Sequence, residues 1–448
     1  SKFHNLKTLI LLISIITKKD FTPLISNMLS NTKIKNDGVK SLNMYIRQTS
    51  LFSFEEIIKF QQQSRLELIL SNIDVSKLAN ELRKPSNSKG PKGYEPEVLI
   101  YSLIAMQVEK IDTIKDLVVK LKENPVLRYC CGFDVLGKVP SESTFSRFLE
   151  KLSNSESLEQ IFHDLVIKAK ELDIIDGEHI SIDSTKLDSF EAAKPKKDIV
   201  HDGTNPNWGM KKDTNGNNIR WFGWKLHILC DSKSELPLDL LISPASNYDG
   251  TMALPLIKQF FENYKDTFKP KYYAMDSAYD LDYVYKTIIN EYQGIPIIAY
   301  NPRGSYAPPE GLDEDFNPIC SGGYKLVYWG KDGNYLKFRC PHALGRCDCP
   351  HGMNWCSSSN YGYTLKVNYK ENPRYYGYPL RYTDAWKKQY DKRTSIERCF
   401  SRLKCYLNLD NVRSKGIKKV KVHAILNCIA LISGTIAINT MKSLSKAA

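Results

Sequence analysis

The hydrophobic period of this chain changes near residue 176, and that change restricts the possible folds more than any other feature. Before it, apolar residues recur at helical spacing. Ser53 and Glu56 form a capping-box pattern, Pro96 opens an apolar helix and Ile114–Leu121 is amphipathic. Pro140-Ser-Glu-Ser-Thr144 looks like a turn ahead of a capped helix. After it, His179-Ile-Ser-Ile-Asp183 alternates with period two and ends on an acid. A polar loop, Lys194–Asn218, follows. Trp221–Cys230 and Leu236–Ile242 then flank the turn Asp231–Glu235 as a hairpin. Thr251–Tyr264 is a helix, Lys271–Asp276 a strand that again ends on an acid, Asp282–Tyr292 a helix and Ile295–Tyr300 a strand. The order β-β-β-α-β-α-β gives an α/β core with a mixed sheet, preceded by an all-α region.

Residues 302–389 interrupt this order. They are rich in Gly, Pro, Tyr and Cys, with strand-like pieces at Tyr324–Trp329 and Tyr335–Cys340, and are expected to form a β-rich insertion. The next stretch, Tyr390–Lys404, has no Pro or Gly and reads as helix. At about 100° per residue, Tyr390, Arg393, Glu397 and Lys404 fall in a stripe about 60° wide. The apolar residues Ile396, Phe400, Leu403 and Leu407 lie beside it. In isolation such a stripe is a solvated charged face with ordinary helical pairing. A basic segment from Arg413 leads to a last helix, Val420–Lys442. Its apolar run, Ala424–Ile438, is too short for a bilayer and carries Asn427, Ser433 and Gly434, as a buried helix would. The expected divisions are a helical extension (1–80), a helical domain (81–175), the first part of the core (176–301), the insertion (302–389) and the C-terminal helices of the core (390–448). The short helices of 81–175 suit either a helix-turn-helix-like DNA-binding domain or plain packing.

The strand order resembles that of a ribonuclease-H-like fold, in which the ends of the first and fourth strands lie side by side. Asp183 and Asp276 would then meet, and the helix bearing Glu397 could pack across them. Three carboxylates in one cleft repel unless cations sit between them. Oxygen-only ligands suit Mg²⁺ or Mn²⁺. Two such ions about 4 Å apart can activate an attacking oxygen and stabilise a leaving one at a phosphodiester. Arg393 and Lys404 would hold DNA phosphates, and Tyr390 would stack or hydrogen-bond there.

The spacing Y-x-x-R-x-x-x-E-x-x-x-x-x-x-K at Tyr390, Arg393, Glu397 and Lys404 resembles the signature of DDE-type bacterial insertion-sequence transposases. Ile182-Asp183-Ser-Thr-Lys186 and Ala274-Met-Asp276-Ser-Ala-Tyr279-Asp resemble the two aspartate blocks of that family. Gly93–Leu99 and Pro140–Thr144 resemble its N-terminal domain. The resemblance implies Asp183, Asp276 and Glu397 as catalytic metal ligands, and Tyr390, Arg393 and Lys404 as DNA-binding residues. It further implies hydrolysis at the 3′ ends of terminal inverted repeats, transfer of the 3′-hydroxyls to target DNA and a homodimer on paired ends. The location would be the bacterial cytoplasm, at the nucleoid, with no membrane partner. Two other readings stay open: a catalytically silent DNA-binding descendant, and a metal-dependent nuclease without strand transfer.

Composition agrees with a polyanionic partner: 63 Lys and Arg against 50 Asp and Glu leave a net charge of +13. The 11 cysteines do not form a disulfide framework, which points to a reducing compartment. Four of them fall in the run Cys340-Pro-His342-Ala-Leu-Gly-Arg-Cys347-Asp-Cys349-Pro-His351-Gly-Met-Asn-Trp-Cys356. These four Cys and two His could hold a structural Zn²⁺ or be free thiols in a loop. Asp188, Glu191, Asp280 and Asp282 are expected as cap or surface residues. His227 is expected to be structural, and Trp208, Trp221 and Trp224 to pack rather than stack on bases. The apolar run Leu9–Ile16 is too short to span a bilayer, and Met28 is a candidate start.

Overall fold

The computed structural model describes residues 53–60, 63–85, 93–212, 215–304 and 308–447. The run Leu9–Ile16, Met28 and most of the polar break after Pro85 lie outside these. The first compact unit, Ser1–Gln61, contributes one described helix, α1 (Phe54–Phe60). Its capping box forms as the sequence suggests: Ser53 N–H donates to Glu56 Oε2 at 2.8 Å and Glu56 N–H to Ser53 Oγ at 3.3 Å.

In the second unit, seven helices precede the sheet: α2 (Arg65–Leu70), α3 (Ser76–Leu82), α4 (Pro96–Val108), α5 (Ile114–Glu123), α6 (Pro125–Cys130), α7 (Glu142–Leu152) and α8 (Ser157–Glu171). Ser64, Thr113 and Asn124 cap α2, α5 and α6 through side-chain oxygens. α4 is apolar around most of its circumference and lies buried at the centre of this group. The last helix, α13 (Ile417–Ala447), packs on α2, α4, α7 and α8. One continuous hydrophobic core therefore runs from the N-terminal helices into the sheet. By length and composition α13 could cross a membrane, yet 67% of its apolar window is buried inside the protein. Its buried polar groups are spoken for: Asn427 Nδ2 donates to Gln107 Oε1 at 3.1 Å, and Asn427 Oδ1 accepts from Asn408 N–H at 3.0 Å.

The main sheet is mixed and has six strands: β1 (His179–Asp188), β2 (Asn207–Lys212), β3 (Asn218–Asp231), β4 (Pro237–Pro244), β5 (Tyr272–Met275) and β6 (Ile295–Ile298). β1 is central, antiparallel to β3 and parallel to β5, which is itself parallel to β6. The long β3 divides its outer edge, pairing β2 with its first half and β4 with its second. α9 (Asp249–Tyr264) and α10 (Asp282–Asn290) connect the later strands.

The Lys194–Asn218 stretch is not wholly a loop, since β2 lies within it. Gly209 admits this edge strand because a Cβ there would strike the Trp221 ring. β1 also runs past Asp183 to Asp188 along β3, so Asp183 ends only the pairing with β5.

The insertion carries a three-stranded antiparallel sheet, β7 (Val327–Asp332), β8 (Tyr335–Arg339) and β9 (Thr364–Asn368). It is tied to the core through Asp280, which follows the 3₁₀ turn Ser277–Tyr279 as its C-cap and is buried rather than at the surface. Arg374 Nη2 meets Asp280 Oδ2 at 2.9 Å, and Tyr285 Oη and Asn301 N–H donate to the same carboxylate at 2.8 and 2.9 Å. Arg381 Nη2 in turn donates to Tyr285 Oη at 2.8 Å.

The chain then enters a helical run that changes pitch: α11 (Asp384–Tyr390), a 3₁₀ turn (Asp391–Arg393), α12 (Thr394–Ser401) and a π turn (Arg402–Tyr406). Tyr390–Lys404 is thus helical throughout but not one regular α-helix. The π turn underwinds, so uniform 100° steps misplace Lys404 relative to Glu397.

Candidate active site

The β1–β5 register places the first two acids together. Ile182 pairs with Met275, so the next residues, Asp183 and Asp276, leave the paired region side by side. β5 stops there because Asp276 turns the chain: its Oδ1 accepts from Ala278 N–H at 2.8 Å, capping a 3₁₀ turn. Asp183 Oδ1 accepts from Ser184 N–H at 2.7 Å.

The third acid arrives on the α11–α12 run, which packs on β1. His179, Ser181 and Asp183 share one face of β1, by the two-residue alternation of a strand. That face meets the α11–α12 run: His179 Nε2 contacts Gln389 O at 3.1 Å and Ser181 Oγ contacts Ser395 Oγ at 3.2 Å. These contacts set Arg393 and Glu397 over Asp183. Arg393 bridges the acids, with Nη2 at 2.6 Å from Glu397 Oε1 and Nη1 at 3.4 Å from Asp183 Oδ2.

Electrostatics follow from this placement. Burial, and then the neighbouring Asp276 charge, push the Asp183 carboxyl up to about 7, against the pull of the Ser184 N–H and Arg393. Asp276 is raised as well, chiefly by burial, while the Ala278 N–H and Arg393 oppose the rise. Glu397 keeps a side chain 55% exposed, so the cleft opens to solvent on its side.

The rest of the predicted stripe divides. The Tyr390 ring stacks on Trp386 at 4.7 Å between centroids and has the Arg393 guanidinium 5.7 Å away on its ring. Lys404 does not join the acids: its Nζ pairs with Asp410 Oδ1 at 2.8 Å.

Asp249, at the start of α9, is a fourth carboxylate here, and its charge helps to raise both Asp183 and Asp276. It accepts from Ser184 Oγ at 2.9 Å and pairs with Lys225 Nζ at 3.0 Å. In sequence it sits in Tyr248-Asp-Gly, a pattern indistinguishable from a helix start, so only its contacts with Ser184 and Lys225 reveal it.

Among the described residues, no three Asp, Glu, His or Cys side chains close to the distances of a metal site. In the acidic cleft, Glu397 is turned onto Arg393. The donor chemistry nonetheless fits a hard divalent cation. The opposed carboxylates supply only oxygen, and desolvation plus mutual repulsion make their ionised forms costly without a cation.

The other expectations for single residues are settled by packing. His227 is buried, contacts Ser243 Oγ through Nε2 at 2.8 Å and is held near 4 by burial, so it is neutral. Trp221 and Trp224 are core residues, and Trp208 Nε1 donates to Lys194 O at 2.9 Å. Asp188 and Asp282 make surface ion pairs with Lys186 and Lys286, and Glu191 Oε1 accepts from Gly416 N–H at 3.0 Å.

Comparison with known proteins adds three findings. The model of the family described as "Transposase DDE domain" matches residues 174–433, more than half of the chain. A second, described as "Transposase domain (DUF772)", matches residues 52–151. Among solved structures, the cryo-EM structure of a piggyBac transposase synaptic complex with hairpin DNA is similar, with a TM-score of 0.39 and 13% identity over 86% of this chain and 75% of that one. No curated protein matches the chain.

Proposed function

The chain belongs to the transposase DDE domain family, and on that premise we propose that it is the transposase of an insertion sequence. It binds the terminal inverted repeats, hydrolyses the 3′ strand ends and transfers the 3′-hydroxyls into target DNA. The observation that carries this reading is the juxtaposition of Asp183 and Asp276 across β1 and β5, with Arg393 linking Asp183 to Glu397.

Two Mg²⁺ or Mn²⁺ ions held by Asp183, Asp276 and Glu397 would supply activation of the attacking oxygen and stabilisation of the leaving one. The remaining work falls to the chain's own side chains. Arg393 is placed to exchange its carboxylate partners for a DNA phosphate, which it can hold bidentately. Tyr390, packed between Trp386 and Arg393, fixes the direction of that guanidinium and offers its hydroxyl to the strand. Lys404 adds positive charge along the same rail once Asp410 yields it. Asp276 stays fixed by the Ala278 N–H, so the acid pair is oriented before DNA arrives. The strand order around β1 supports a ribonuclease-H-like core with a β-rich insertion. The net charge of +13 supports double-stranded DNA as the partner, bound by a homodimer on paired ends in the bacterial cytoplasm.

The test is purified protein with Mg²⁺, a duplex bearing the element's ends and a target duplex. Joined products support a transposase. Nicks at the ends without joining would favour a nuclease, and binding without nicking a silent DNA-binding descendant.

A further inference from the structure

The insertion has more chain than its hydrophobic core can hold. Its sheet closes on three buried side chains, Leu326, Leu336 and Phe338. Between β8 and β9 the chain runs from Cys340 to Tyr363 with only two short 3₁₀ turns, His342–Leu344 and Met353–Trp355. A connection of this length without regular structure needs some other tie, and small cores of this kind are commonly stapled by disulfides or metal.

The cysteines supply the candidate tie. Cys340, Cys347, Cys349 and Cys356 line one cavity, together with His342 and with Cys320, which arrives from the loop before β7. The cavity is about 20 Å³, room for a single water-sized sphere and far too small for an organic ligand. The other predicted zinc candidate, His351, does not line it and stacks instead on Trp355 at 4.2 Å between centroids.

The five thiols share one wall of this cavity although Cys320 comes from a different loop from the other four. All are free thiols.

One backbone donor is already placed on a sulfur of this wall. Cys320 begins a tight turn in which Gly323, at φ +81°, allows the chain to reverse. That turn aims the Tyr324 N–H at Cys320 Sγ, 3.4 Å away, a contact that strengthens when the sulfur is charged. His342 Nδ1 lies 2.9 Å from the Cys347 carbonyl and 3.2 Å from the Cys349 N–H, which ties the ring to the loop between them. The sulfurs surround the space without closing to ligand distance, as thiols held only by packing would.

We propose that the insertion binds one structural Zn²⁺ through cysteine thiolates, with the buried Cys340 and the Tyr324-contacted Cys320 as ligands and two of Cys347, Cys349 and Cys356 completing the tetrahedron. Four soft sulfur donors in a closed site select zinc over the hard cations suited to the acidic cleft. The ion would staple the 340–363 segment to the loop before β7. The two metal sites are then independent in position, donor type and role.

The experiment uses the full chain, purified without chelator or metal-affinity resin. Elemental analysis should find about one zinc per chain. Cys320→Ser and Cys340→Ser should each lose it, while Cys405→Ser, an exposed thiol remote in sequence, should keep it. A second measurement does not depend on the variants folding. Alkylation of the native wild-type chain, read by mass spectrometry, should spare Cys320 and Cys340 until a strong chelator is added, while Cys405 labels throughout. Absence of zinc, or labelling of those two at the rate of Cys405 with and without chelator, would overturn the proposal.

Discussion

Replacing Asp183 by Asn should stabilise the protein while destroying its activity, and the gain should depend on pH in a defined way. The Asp183 carboxyl is held at about 7 in the fold against an ordinary 3.8, chiefly by burial and then by Asp276. A folded-state pKa above the unfolded one means that the fold is penalised as the group ionises. The penalty is absent below about pH 4, grows as pH rises and is complete above about pH 7. At roughly 1.36 kcal/mol per pH unit it reaches about 4 kcal/mol. That is a ceiling, because the side chain is 21% exposed and Asn forfeits the 3.4 Å contact with Arg393. A net gain of about 1–3 kcal/mol at pH 8 is expected after that discount. The assay is urea unfolding of wild type and Asp183→Asn in EDTA at pH 4.5 and pH 8. Mg²⁺ added at pH 8 should then stabilise the wild type and not the variant. The reasoning fails if the variant is no more stable at pH 8, or if its advantage is as large at pH 4.5.

Two further expectations rest on single contacts. Arg374→Ala should lower unfolding free energy by about 3 kcal/mol in urea, because it leaves the buried Asp280 carboxylate without its cation; adding Asp280→Asn should recover part of the loss. Arg393→Ala should weaken DNA binding and reduce the slope of log affinity against log salt by about 0.9, as loss of one phosphate contact requires; an unchanged slope would remove Arg393 from the DNA rail.

Much of the core was legible because its strands announce themselves. β1, β3, β4, β5 and β6 carry apolar residues in short runs bounded by turn residues, and the β1–β5 register that brings Asp183 beside Asp276 follows from their order. β2 was hidden because half of it is exposed Met, Lys and Lys, and its fit depends on Gly209 meeting Trp221, a contact between residues apart in sequence. The helix bearing Glu397 was visible, but the π turn over Arg402–Tyr406 leaves no mark in a 100° projection. Asp280 looked like a surface acid because its partner, Arg374, is 94 residues further on, inside the insertion. Cys320 was missed in the thiol cluster for the same reason, since it belongs to another loop. For β2, Asp280 and Cys320 the missing information was a contact between distant segments, whereas the π turn is a local change of pitch.

Glu397→Gln asks whether Glu397 completes a metal-dependent cleavage site with Asp183 and Asp276. The substitution keeps the shape of the side chain beside Arg393 and removes only its charge. End cleavage in Mg²⁺ should fall to background, while affinity for the end-bearing duplex, measured without metal, should be equal or slightly higher because one negative charge leaves the cleft. Cleavage retained at the wild-type rate would contradict the account.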